Sequence, residues 1–189
     1  RSQLAVADKV LRRRKAEELM SEGVSIIDPD HVYIQQDVTV GKDTVLYPGT
    51  ILEGKTVVGC GCRIGPDTEL DNVICGDDNH LNRVYAHECT IGSHNEMGPF
   101  VHLRPGTVMH DHIKVGNFVE VKNSDIGNGT KLPHLIYCGD ADVGEKVNFG
   151  CGTVTVNFDG KKKYRTVVED HAFIGCNTNL VSPVHVAEG

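Results

Sequence analysis

The sequence predicts an all-β fold of one particular kind, a parallel solenoid of hexapeptide repeats, and two unbroken ladders predict it. Ile34, Val40, Leu46, Leu52, Val58, Ile64 and Leu70 place an aliphatic residue at every sixth position. Ile91, Met97, Leu103, Met109, Val115 and Val121 do the same further along. A step of six matches neither the helix nor the two-residue alternation of a single strand. It is the step of short parallel strands that each add one side to a stacked coil. A third observation agrees: the position two before an aliphatic residue is small or β-branched, as at Val38, Thr44, Thr50, Thr56, Cys62 and Thr68. Three such sides make a coil of about 18 residues, so residues 31–189 amount to roughly nine coils of a triangular prism.

The elements follow in chain order. Residues 1–23 form a separate helical segment, with Leu4, Ala7, Leu11, Ala16 and Leu19 as an apolar stripe and Gly23 as its C-terminal cap. The basic run Arg12-Arg13-Arg14-Lys15, followed by Glu17 and Glu18, reads as a solvated helix face in preference to an anion site. Asp28-Pro29-Asp30 turns the chain into the solenoid, which occupies residues 24–189. Glycine often follows the aliphatic residue, at Gly41, Gly59, Gly65, Gly92, Gly116, Gly127, Gly144 and Gly175, and is expected to turn tight corners through positive φ. The phase slips to five at Leu70–Cys75, Val121–Ile126 and Cys138–Val143. A longer break spans Asn157 to Thr166, after which Val168, Ile174, Leu180 and Val186 resume the step. That break predicts a loop projecting from one corner, the place where repeat proteins carry function.

Composition narrows the function classes. Nineteen Lys and Arg against 26 Asp and Glu leave a net charge of −7, so a nucleic-acid partner is not indicated. Residues 101–165 nevertheless hold nine basic against seven acidic residues. A small anionic substrate would suit that excess, and so would a mixed, solvated surface. No apolar run is long enough to span a membrane and no signal-peptide pattern opens the chain. Seven cysteines without a C-x-x-C pair argue for reduced thiols in a cytoplasm. Cys75 and Cys138 stand on the ladder and Cys62 on the small position, where a buried hydrophobe is expected. The ten histidines show no pair five residues apart; spacings of seven or eight carry successive ones to different faces, so no metal site is expected within one chain.

The motif-bearing segments are Leu103-Arg104-Pro105-Gly106, Val115 to Lys122, His134 to Ala141, Val147-Asn148, Asn157 to Gly160 and Ala172 to Gly175, with Gly23 to Pro29 and Tyr47 to Thr50 earlier. In these stretches, over nearly its whole length, the chain resembles the acetyltransferase half of the bifunctional enzymes that make UDP-N-acetylglucosamine. The resemblance implies a left-handed parallel β-helix assembled as a homotrimer with active sites between subunits. It also implies transfer of acetyl from acetyl-CoA to the amine of glucosamine 1-phosphate, in the cytoplasm, as a step toward cell-wall precursors, with no metal required.

Residue by residue, His134 matches the general base. Arg104, Lys122, Tyr137 and Asn148 match the sugar-phosphate site, where cationic groups suit the phosphate and phenol and amide groups suit the hydroxyls. Lys163 matches a lysine that reaches the substrate of a neighbouring subunit, although Lys161-Lys162-Lys163 also reads as a solvated loop tip. Cys151, Asn157, Phe158 and Cys176 fall where the family contacts acetyl-CoA. The family usually has Ala, Tyr and Ser at positions 151, 158 and 176, so side-chain contacts there would change while main-chain contacts would survive. Asp140 is the one local candidate for orienting His134. The chain opens on Arg1 and stops at Gly189 in mid-repeat, as a piece of a longer chain would, and its helix resembles the connector between the family's two halves. The glycine-rich motif of the uridylyltransferase half is absent, so that activity is not expected. Two other readings suit the bare fold: a zinc-dependent hydratase and a non-catalytic trimerisation or regulatory solenoid.

Overall fold

Three faces of stacked parallel strands enclose a single apolar column in the computed structural model, which describes residues 1–189. The first face runs from Ser25–Ile26 through Val45–Leu46, Arg63–Ile64, His80–Leu81 and Glu96–Met97 to Asn148–Phe149 and Phe173–Ile174. The second starts at Tyr33–Ile34 and includes Ile51–Glu53, Glu69–Asp71, Val84–His87, Val101–Leu103, Val154–Val156 and Asn179–Val181. The third is a nine-stranded sheet from Thr39–Val40 to Val184–Val186. Two nine-residue strands, Lys114–Lys122 and Lys131–Gly139, run unbroken from the first face into the second and fuse them into one 16-stranded sheet. The solenoid has about nine turns, as the ladder predicts.

Register explains why the ladder is so regular. Leu52 pairs with Leu70, Ala86 with Leu103, and Leu103 with Val121, so each inner side chain stacks on its equivalent one coil away. These inner positions form one contiguous cluster of 39 buried residues. Leu81 and Ala86 bridge the stretch between the two sequence ladders, both fully buried, and the five-residue steps around Ala86 are why the regular count lapses there. Thr44, Thr50, Thr56 and Thr68 are also fully buried. Their hydroxyls donate to carbonyls about one coil away: Thr44 Oγ1 to Gly59 O at 2.8 Å and Thr56 Oγ1 to Leu70 O at 3.2 Å. A buried hydroxyl needs such a partner; the small position is thus a corner clip.

The glycine expectation holds at Gly65, with φ +103, and is corrected at the others. Gly41, Gly59, Gly92, Gly116 and Gly144 do not adopt positive φ. They are required by proximity: a Cβ on Gly41 would lie 2.6 Å from Cys60 N, and one on Gly92 2.7 Å from His110 O. Left-handed φ falls on other glycines, such as Gly49, Gly54 and Gly106, and on non-glycine corner residues. In the five-residue corners it falls on Asn72, Asn123 and Asp140, and Asn and Asp tolerate this region because their short side chains bond locally. Each five-residue step is therefore a corner turned by one left-handed residue: Asn or Asp at the three steps noted in the sequence, Arg83 and Glu88 around Ala86.

The N-terminal helix spans Ser2–Ser21, shorter than residues 1–23, and it ends as expected. Gly23 at φ +98 donates to Met20 O, and Val24 N to Leu19 O at 3.0 Å, the pattern that satisfies last-turn carbonyls. Its stripe is only partly used: Ala16 and Leu19 are buried, whereas Leu4 and Leu11 are exposed. Within the basic run, Arg12 and Arg13 pair with Asp8 and Glu17, and Lys15 is buried against Glu18. No helix is long and apolar enough to cross a membrane. Leu103→Ala should lower unfolding free energy by about 2–5 kcal/mol because the stacked coils cannot collapse into the hole. Leu4→Ala should change it by less than about 0.5 kcal/mol. Chemical denaturation of both variants checks this, and equal losses would contradict the assignment of inside and outside.

Candidate active site

The side chains singled out by sequence lie around the second face, in two groups at its opposite edges. At the edge shared with the first face stands His134, within Lys131–Gly139. Leu135, next to it, has φ +51 and turns the chain onto the second face. His134 is exposed, and no hydrogen bond within the chain holds its ring. Lys131 pairs with Asn148, and extending that register sets Cys151 over His134; Gly152 N donates to His134 O at 3.4 Å. Cys176 lies one coil further on. Asn148 sits on the first face, round the corner from the others.

On the second face itself, Arg104, Lys122 and Tyr137 are half-buried. Arg104 Nη1 donates to Glu120 Oε1 at 2.7 Å. Tyr137 pairs with Glu120 one coil below, and its ring leans away from His134 toward Gly139. Any Cβ on Gly139 would collide with the Tyr137 hydroxyl, so glycine is needed there for close approach.

The far edge is organised by a carboxylate. Asp140 is 6% exposed and accepts from Asn123 Nδ2 at 2.6 Å and from Asn157 Nδ2 at 2.5 Å. Asn157 is itself buried, and its Nδ2 stands 3.5 Å from Tyr137 Oη. Asp140 therefore positions Asn157, not His134, which corrects the expectation for this residue. The loop that follows is ordered by its own contacts. Phe158 forms an antiparallel bridge with Lys163, and the Asp159 carboxylate accepts from the main-chain N–H of Lys161 and of Lys162, both at 2.8 Å. Those main-chain bonds hold the Asp159 carboxyl below its usual range. At the base, Arg165 clamps both oxygens of Asp142 and donates to Ala141 O at 3.0 Å and Asn123 O at 3.2 Å. This fold-back brings Lys163 beside Lys122 in the same chain. Contact with Lys163, and then burial, lowers the Lys122 pKa. Arg104 adds a third positive charge to the surroundings of Lys122.

The structure thus brings together Arg104, Lys122, Tyr137, Asn157 and Lys163, with exposed Phe158 beside them. It keeps His134, Cys151, Cys176 and Asn148 apart from that cluster. Glu120, Asn123 and Arg165 hold these side chains without having been singled out by the motifs, and Asp140, singled out for His134, holds Asn157 instead. The left-handed Asn123 and Asp140 at two short steps were the available signal. The histidines pair on adjacent coils, His87 with His102 and His94 with His112, but no group of three or more His, Cys, Asp or Glu is placed to hold a metal within the chain.

No family model matches the chain. Curated relatives match it throughout. The protein named bifunctional protein GlmU from Carboxydothermus hydrogenoformans is 53% identical over 188 residues, covering 100% of this chain and 42% of the relative. That of Geobacillus sp. (strain WCH70) is 50% identical over 186 residues, 98% of this chain and 40% of the relative. Over its whole length the chain is similar to the C-terminal part of these relatives. It spans about two-fifths of the length of these relatives. The solved structure of a UDP-N-acetylglucosamine acyltransferase covers 82% of this chain and 67% of its own at 11% identity and a TM-score of 0.38, too distant to bear on the site.

Replacing Lys163 with Met should raise the Lys122 pKa, because a neighbouring cation disfavours its protonated form. An NMR titration of the lysine side-chain signals reads this, and an unchanged Lys122 would contradict the pairing.

Proposed function

We propose that this chain is a glucosamine-1-phosphate N-acetyltransferase domain, moving acetyl from acetyl-CoA to the sugar amine within a homotrimer of left-handed β-helices in the cytoplasm. The observation that carries the proposal is the register that stacks Arg104 on Lys122 beside Tyr137 and Asn157, with the loop bearing Lys163 folded back toward them. Similarity to these relatives over the full chain, together with the motif matches at these residues, supports the same substrate. Three cations beside neutral hydrogen-bonding groups suit a phosphorylated sugar: the charges take the phosphate and the phenol and amide take hydroxyls. Arg104 is already paired with Glu120, which holds its guanidinium in place before ligand arrives.

The chemistry needs a neutral amine. Imidazole suits proton removal near neutrality, and His134 is assigned that role. The amine nitrogen then attacks the thioester carbonyl, the C–S bond breaks, and CoA leaves as its thiol. The geometry of a single chain separates base and cations. His134 stands before the left-handed corner at Leu135 and Tyr137 after it, with the Tyr137 ring leaning toward Gly139. A complete site therefore takes His134, with Cys151 and Cys176 stacked above it, from one chain and the cationic cluster with Phe158 from its neighbour. That arrangement agrees with an assembly whose sites lie between subunits.

The test follows free thiol released from acetyl-CoA in the presence of glucosamine 1-phosphate. His134→Ala should lower kcat by about 10²–10⁴. Lys122→Met should act mainly on KM for the phosphorylated sugar, with a smaller effect on unphosphorylated glucosamine. Absence of thiol release by the parent protein contradicts the function, and full activity of His134→Ala contradicts the mechanism.

A further inference from the structure

Two thiols sit in register on the coils directly above His134. Asn148 pairs with Phe173 and Phe149 with Ile174, and continuing that register sets Cys151 opposite Cys176. The main chain keeps the register to this point: Gly150 N donates to Ile174 O and Asn177 N to Cys151 O, both at 2.7 Å. Adjacent parallel strands lie about 4.8 Å apart, inside the range of about 4.4–6.8 Å between Cα atoms that a disulfide spans. Both cysteines are free, Cys176 exposed and Cys151 half-buried. Burial pushes the thiols of Cys89 and Cys138 up to about 12, which removes them from thiolate chemistry at neutral pH. Glycines flank the pair: Gly150 and Gly152 enclose Cys151, and Gly175 precedes Cys176. A Cβ on Gly150 would lie 2.8 Å from Cys176 Cα, so the coils approach closely here because no side chain intervenes.

We infer that Cys151 and Cys176 form a vicinal dithiol, a modification site that a low-molecular-weight disulfide converts to an intrachain disulfide. The Cys176 thiolate attacks one sulfur of the reagent and expels a thiolate, leaving a mixed disulfide. The Cys151 thiolate then attacks the Cys176 sulfur and expels the second thiolate. The two protein thiols lose two protons and two electrons, and the reagent disulfide is reduced to two thiols. Exposed Cys60 has no exposed thiol beside it: Cys62, two residues on, is fully buried, and the Cys60 N–H donates to Asp77 Oδ1 on the next coil at 2.7 Å. Cys60 therefore stops at the mixed disulfide and serves as the internal control. The new bond would lie one coil from His134, so its effect on activity rests on the acetyl-transfer reading, whereas its formation does not.

The experiment treats the folded full chain with oxidised glutathione at a total of about 0.1 mM, traps remaining thiols with N-ethylmaleimide, and maps the digest by mass spectrometry. A neighbouring thiol acts at millimolar effective concentration or above, so the Cys151–Cys176 linked peptide should exceed glutathionylated Cys151 or Cys176 by about tenfold. Cys60 should carry glutathione alone. In Cys176→Ser the link should vanish and Cys151 should carry glutathione instead. Glutathione on both Cys151 and Cys176 without the link, or neither reacting while Cys60 does, overturns the dithiol. Acetyl transfer is assayed before oxidation, after it and after reduction. A linked protein that loses activity and regains it on reduction supports both readings. A linked protein of unchanged activity upholds the dithiol and removes the acetyl-transfer site from this corner.

Discussion

Every feature of this molecule depends on one constraint: a coil can bury its inner side chains only by stacking in register on its neighbours. No single coil encloses a core, since its inner residues meet equivalents such as Leu52, Leu70, Ala86 and Leu103 above and below. Stability in such a stack is close to a sum over neighbouring interfaces. The same register fixes the outer residues. Once the inner ladder is set, Glu120 must sit under Tyr137 and Cys151 must sit over His134. Columns of outward side chains are thus a consequence of packing inside, and the site is assembled from such columns.

Where the stack departs from regularity, it acquires chemistry. The short corners at Asn123 and Asp140 place a buried carboxylate between two amides. Leaving a buried acceptor or donor unpaired costs about 1–3 kcal/mol, so Asn123, Asp140 and Asn157 hold one another rigidly. The loop after Asn157 folds back through the Asp159 turn and the Arg165 clamp, and the cost of gathering three cations is met partly by Glu120 and Asp140 nearby. At the opposite edge, two unbroken strands cross a corner instead of stopping at it, and the left-handed Leu135 there presents His134 outward.

Much of this was legible in the sequence, for definite reasons. Six-residue periodicity reports an inner surface with no alternative, so fold, coil number and the inserted loop all followed from it. The Thr positions were readable because a buried corner admits only a small side chain. The glycines were readable in position but not in cause: a positive-φ explanation and a close-approach explanation predict the same residue, and only the neighbouring coil distinguishes them. The apolar stripe of the helix overstated burial, since Leu4 and Leu11 stay exposed. Asp140 was assigned to the wrong neighbour because linear proximity to His134 suggested contact. In a prism, six residues cross a whole face, and the true partners are 17 residues away on adjacent coils. Likewise Lys122 and Lys163 meet only through the loop's fold-back, which has no sequence period.

The central claim is that base and cationic cluster come from different chains of one assembly. Mixing two inactive variants tests it most directly: His134→Ala and Lys163→Ala, unfolded together and refolded in equal amounts. If His134 and Lys163 serve one site from two subunits, random mixing should restore roughly a quarter of the parent activity. If both residues act within one chain, every site carries at least one defect, and the mixture will stay as inactive as its components.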